Sequence, residues 1–120
     1  MTAREQGSCA QSTPRAERIA LLNDRLRQTA KGGRIVVTAG VKALPGFVAD
    51  TLLQEIASYE AFDCDNDPHG ERDFGDVDYC GAELLWKIDY YDPSLTWGSS
   101  NPANPSMTVR VLTIMLADEY

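Results

Sequence analysis

No stretch of this chain approaches the run of about 20 apolar residues that a membrane helix needs, which excludes a helical membrane span. The first residues, Met1 to Thr13, are polar and hold no apolar h-region, so no secretion signal is expected. Cysteine is scarce: Cys9, Cys64 and Cys80 are three in number, and their spacing matches no zinc or CxxC pattern. Free thiols in a reducing cytoplasm are the expectation, with a Cys64–Cys80 disulfide as the alternative. There is no GxGxxG, no phosphate-binding P-loop and no G-x-S-x-G elbow, so nucleotide binding and serine-hydrolase chemistry have no motif to stand on. Gly32-Gly33, ahead of an apolar run, reads as a helix stop. No internal repeat is present.

The 120 residues make one ordinary domain. A hydrophobic fraction of 43% is ample for a core without metal or disulfide support. The formal net charge of -7 is unevenly placed. Residues 1–54 carry eight Lys/Arg against four Asp/Glu, whereas residues 55–92 carry twelve Asp/Glu against Arg72 and Lys87 alone. A net of -10 over that middle segment repels phosphates, so direct binding of nucleic acid is not expected there.

Residues 1–13 read as a flexible N-terminal tail and residues 14–120 as a single α+β domain. Thr13-Pro14 starts a helix, with Thr13 as N-cap and Pro14 at the first helical position. Ile19, Leu22, Leu26 and Ala30 recur at helical spacing. Arg34 to Gly40 is β-branched and short, a strand. Leu44-Pro45-Gly46 breaks it and opens a second helix with Val48, Leu52, Ile56 and Tyr59 as its buried stripe. A turn-rich acidic loop follows from Asp63 to Glu71. Val77 and Tyr79 then alternate with Asp76 and Asp78. Cys80-Gly81 turns the chain. Leu84, Trp86, Ile88 and Tyr90 alternate with Glu83, Leu85, Lys87 and Asp89. That period of two predicts an antiparallel hairpin with one apolar and one wet face. Residues 93–105 form a loop. Met107 to Tyr120 fits either element, and the Asn104-Pro105-Ser106 start together with good helix formers favours a helix. The predicted order is α-β-α-β-β-α: a small antiparallel sheet of about three strands covered by three helices.

Five stretches carry a family resemblance: RIALLNDRLR (18–27), GGRIVVTAGV (32–41), DNDPHGERDFG (65–75), WKIDYYD (86–92) and RVLTIMLADEY (110–120). Together they resemble the bacterial domain-of-unknown-function family 3768 over about residues 17–120. The resemblance implies a bacterial protein, often encoded on plasmids or other mobile elements, and no established activity. It also implies that His69 stands where the family usually has Tyr, a departure that counts against any mechanism requiring an imidazole there.

Four groupings could carry chemistry. Counted from Asp65, the acidic loop sets Asp65, Asp67, His69, Gly70, Glu71, Asp73 and Asp76 at positions 1, 3, 5, 6, 7, 9 and 12 of a calcium loop. Pro68 and His69 fit that frame poorly, and Asp76 replaces its bidentate Glu. Capping of backbone groups by the same Asp and Asn side chains is the plainer reading. Clustered carboxylates also serve metal-dependent hydrolases and nucleases. Asp65, Asp67, Glu71 and Asp73 are the candidate ligands, with His69 beside them and Asp89 near Lys87 to complete a site. The plainer reading of Lys87 and Asp89 is a wet strand face paired to Asp76 or Asp78. Cys64 and His69 could form a thiol–imidazole pair, but lack an orienting group. Among the aromatics, Trp86 and Tyr90 belong in the core, while Tyr91 and Trp97 are expected to be exposed as contact points.

Two functions compete. One is an acidic binding or regulatory protein whose loop and hairpin meet a basic protein surface, with a nucleic-acid mimic directed at a defence system as a special case. The other is a small divalent-metal-dependent hydrolase or nuclease built on Asp65 to Asp73. A structural protein acting as a homo-oligomer is a third, blander reading. No cofactor is expected apart from a divalent cation in the second case.

Overall fold

The computed structural model describes residues 13–120; the expected tail, apart from Thr13, and Cys9 lie outside the described residues. The chain runs through α1 (Pro14–Thr29), β1 (Arg34–Val37), α2 (Ala39–Lys42), α3 (Ala49–Ala57), β2 (Phe74–Tyr79), β3 (Ala82–Tyr91) and β4 (Val109–Leu116). Single 3-10 turns at Pro105–Met107 and Ala117–Glu119 flank β4. The architecture is α+β, as expected, but the sheet has four strands in the order β1-β4-β3-β2. It is mixed: β1 runs parallel to β4, and the other pairs are antiparallel.

α1 begins where its cap chemistry says it should. The Thr13 hydroxyl accepts from the Ala16 N–H at 3.0 Å, and Pro14 occupies the first turn. The helix ends on Ala30, left-handed at φ 62°, ahead of the two glycines expected to stop it. Ile19 and Leu26 are fully buried. α3 buries Leu52 and Ile56, whereas Val48 is its N-cap and exposed. The backbone of that residue is held from across the fold. The Val48 N–H donates to Tyr79 Oη at 2.9 Å, and Thr51 Oγ1 lies 2.8 Å from the same oxygen.

The hairpin is the predicted one. Cys80 and Gly81 both take positive φ, 52° and 77°, the backbone of a two-residue turn whose twist matches the flanking strands. Cys80 is a free, exposed thiol. Cys64 is disulfide-bonded, so a thiol there is not found and the Cys64–Cys80 bridge does not form. Leu84, Trp86 and Ile88 of β3 share the buried face with Leu112 and Ile114 of β4, beneath the helices. Tyr59 and Phe62 meet the Trp86 ring edge-on, with centroids 5.6 and 6.0 Å away.

The closing segment corrects the expectation most sharply, for it is a strand. β4 pairs on both sides, Arg34–Val37 with Val111–Ile114 and Leu84–Tyr91 with Val109–Leu116. Two ladders of backbone hydrogen bonds and a buried Leu112–Ile114 face outweigh the modest helix preference of Leu, Met and Ala. The Asn104-Pro105 start is real, since Asn104 Oδ1 accepts from the Ser106 N–H at 2.9 Å, but it caps only the 3-10 turn. The third helix is instead the short α2.

Arg27 ties the helical layer together. It is nearly buried. Its Nη1 donates to the carbonyls of Ile56, Ala57 and Tyr59 at 2.9, 2.9 and 3.0 Å, which satisfies the open end of α3. Its guanidinium also lies over the Phe62 and Trp86 rings.

Candidate functional site

The acidic loop starts just past the capped end of α3, and most of its polar side chains serve its own backbone. Asp63 Oδ1 accepts from the N–H groups of Asp65 and Asn66 at 2.9 and 3.0 Å. Asn66 Oδ1 accepts from Asp63 N–H, and its amide donates to Tyr59 Oη and the Ala61 carbonyl. Asp67 Oδ1 accepts from Arg72 N–H at 3.0 Å. Arg72, left-handed at φ 53°, then clamps the loop to α1. Its Nε lies 3.1 Å from both Asp24 oxygens and its Nη2 2.7 Å from Oδ2. Asp65 and His69 are exposed.

Glu71 turns the other way, into a polar network beneath the loop. The Tyr90 hydroxyl donates to Glu71 Oε1 at 2.8 Å. The Asn23 amide donates to the Glu71 carbonyl at 3.0 Å and to Tyr90 Oη at 2.9 Å. Asn23 Oδ1 accepts from Arg110 Nε at 2.8 Å. Arg110 also donates to the Pro102 carbonyl and sets its guanidinium 5.2 Å from the Tyr90 ring centre. Burial pushes the Tyr90 phenol far above its ordinary range, with the Asn23 amide opposing, and burial lowers the Arg110 value. Asp73 is pushed up from 3.8 to about 6, first by desolvation and then by the charge of Glu71.

The metal-site expectation therefore meets a divergent geometry. Asp67 caps backbone, Glu71 holds Tyr90, Asp73 is half-buried and Asp65 is exposed. Among the described residues, no three His, Cys, Asp or Glu side chains converge as a ligand set. Asp89 does not complete such a set. Its Oδ2 lies 2.8 Å from Lys87 Nζ on the same strand, and this hydrogen bond raises the Lys87 pKa. The expected pairing of Lys87 with Asp76 or Asp78 is not formed. Cys64, being disulfide-bonded, offers His69 no thiol.

The outer face of the hairpin is different. Asp76 stands opposite Leu85, and Asp78 directly opposite Glu83; all three acids are exposed. Like charges opposed across a ladder destabilise a sheet. Among the described residues none of the three has an ion-pair partner. At the far end of β3 the loop 92–98 is held by Asp92. Its Oδ1 accepts from the Ser94 hydroxyl, Thr96 N–H and Trp97 N–H, and the Ser94 bond leads in lowering its pKa. Trp97 is 72% exposed on this fastened loop. Tyr91, expected to be exposed, is half-buried.

The residue patterns single out neither Asn23 nor Arg110, and they place Tyr90 only in the core. Signals existed. Asn23 falls between Ile19 and Leu26 on the apolar stripe of α1. Under the strand reading of the last segment, Arg110 shares a face with Leu112 and Ile114. A polar residue on an apolar stripe is where buried hydrogen bonding should be sought.

Residues 37–119 match a family model described as "Protein of unknown function (DUF3768)". No curated protein matches the chain, and no solved structure does. The matched stretch takes in the hairpin, the acidic loop and β4, and leaves α1 outside it.

Proposed function

We propose, for a chain that belongs to the DUF3768 family of proteins of unknown function, that it is a small acidic binding protein engaging a basic protein surface with the outer face of its hairpin. The observation that carries this reading is the Asp78–Glu83 pair, two exposed carboxylates set directly opposite each other. A pairing that costs stability in the free protein is relieved when a cation lies between or beside the two charges. Asp76 extends the row along β2, an edge strand of the sheet. Charge complementarity of this kind accelerates encounter and selects partners more than it adds affinity. Regulation of a DNA-binding protein by phosphate-like spacing of these carboxylates, in a bacterial and mobile-element setting, is the special form of the reading.

The test is affinity capture with immobilised protein from cells that encode it, alongside the D76N/D78N/E83Q variant. The expected partner is a basic protein held at low salt. It is released at about 1 M salt, where the screening length falls to about 3 Å, and is not held by the variant. A partner retained equally by both proteins, or at both salt levels, overturns the reading.

A further inference from the structure

The acidic row of the hairpin ends at a cleft. Its volume is about 380 Å³, and Leu44, Ala82, Glu83, Leu116, Ala117 and Asp118 line it. That size falls near the lower end for ligand clefts, which run about 300–1,000 Å³. Leu44, Ala82, Leu116 and Ala117 are half-buried and form an apolar floor, while Glu83 and Asp118 are exposed. Among the described residues neither carboxylate has an ion-pair partner. Their neighbour Glu119 is engaged within the fold: its Oε1 accepts from the Leu116 N–H at 2.7 Å and from the Thr38 hydroxyl at 2.8 Å. These bonds fasten the 117–119 turn to the start of α2, so the wall bearing Asp118 is held in place.

We infer that this cleft receives one lysine or arginine side chain of the basic partner, its stem on the Leu44, Ala82, Leu116 and Ala117 floor and its cation between Glu83 and Asp118. The inference rests on the acidic-surface reading above and adds to it a specific seat. Lysine and arginine are the side chains that pair an apolar stem with a charged head, and they bury the one while the other stays hydrated. An anion would meet two carboxylates. A purely apolar group would fill the floor and leave both charges unanswered. Continuity supports the assignment as well, since Glu83 belongs both to the cleft and to the opposed pair with Asp78.

The experiment is a methyl and amide NMR titration of the full chain with a short capped peptide in which lysine alternates with glycine, and with the same peptide carrying norleucine for lysine. The lysine peptide should shift Leu44, Ala82, Leu116 and Ala117 saturably. The norleucine peptide should leave them unmoved. E83Q/D118N changes only exposed positions and should weaken the lysine peptide about tenfold or more. Equal binding of the norleucine peptide, or of the lysine peptide by the variant, overturns the inference. Shifts confined to Asp76 and Asp78 also overturn it, yet leave the acidic-surface reading standing; no shift anywhere sinks both. Self-association of the free protein that E83Q/D118N abolishes would seat a second copy in the cleft and overturn the assignment to a partner.

Discussion

Asn23 and Arg110, 87 positions apart, meet in the interior through a 2.8 Å hydrogen bond from Arg110 Nε to Asn23 Oδ1. Both are almost wholly buried, at 0% and 2% exposure. Removing Asn23 would leave the cation short of an acceptor and would strip the Glu71 carbonyl and Tyr90 Oη of their shared donor. Asn23→Ala is expected to destabilise the protein by about 3 kcal/mol. Urea unfolding measures this; a loss below about 1 kcal/mol would mean that the network contributes little.

Gly75 lies under the indole of Trp86. A Cβ there would sit 2.7 Å from Trp86 Nε1 and 2.8 Å from two ring carbons, and Trp86 has no exposed surface into which to retreat. Gly75→Ala should therefore overpack the core at a cost of about 1–3 kcal/mol. A displaced Trp86 would also change the intrinsic fluorescence of the folded state. An unchanged spectrum and unfolding midpoint would show that the two strands can part there freely.

Asp73 makes stability depend on pH in a definite direction. Its folded value, about 6, lies above its ordinary 3.8, so the folded state holds this proton more tightly than the unfolded one. The stabilisation is complete below the unfolded value and disappears as pH rises through about 6. Asp73→Asn removes the titration. The variant should gain stability relative to the parent between about pH 4 and pH 7, read from denaturant midpoints at each pH. A difference that stays flat, or falls, across that window would place Asp73 in a wetter setting.

Tyr79 holds Val48, the residue at the head of α3. Its hydroxyl accepts from the Val48 N–H and lies 3.0 Å from the Val48 carbonyl oxygen. Tyr79→Phe should cost about 1 kcal/mol, the usual net contribution of a lost hydrogen bond. The loss should be local, as faster amide hydrogen exchange at the first turn of α3 with α1 unaffected. Uniform acceleration across both helices would instead point to a general loss of packing.

Much of the scaffold was written in local patterns. Thr13-Pro14 marks the start of α1 because a hydroxyl and a missing N–H suit that position in any context. The alternation from Leu84 to Tyr90 marks β3 because its two faces meet different media. In the acidic loop, the side chains of Asp63, Asn66 and Asp67 bond to backbone within five residues, so their capping role is within reach of the sequence. Where the carboxylates from Asp65 to Asp73 point is less legible, since that depends on which way each side chain turns, and Glu71 turns inward to Tyr90.

The sequence by itself determined where the chain is acidic, where α1 begins, where the hairpin turns and which face of β3 is apolar, because each follows from groups within a few residues of one another. Only the tertiary structure decided that the last segment is a strand, since its hydrogen-bond partners are Arg34–Val37 and Leu84–Tyr91 and no local preference encodes partners so distant. It likewise decided that Asn23 and Arg110 meet. Finally, it separated the acids that cap backbone or hold Tyr90 from those with no ion-pair partner among the described residues, including Asp76, Asp78, Glu83 and Asp118. The physical reason is the same throughout: a charge or a backbone group takes its role from whatever the fold places opposite it.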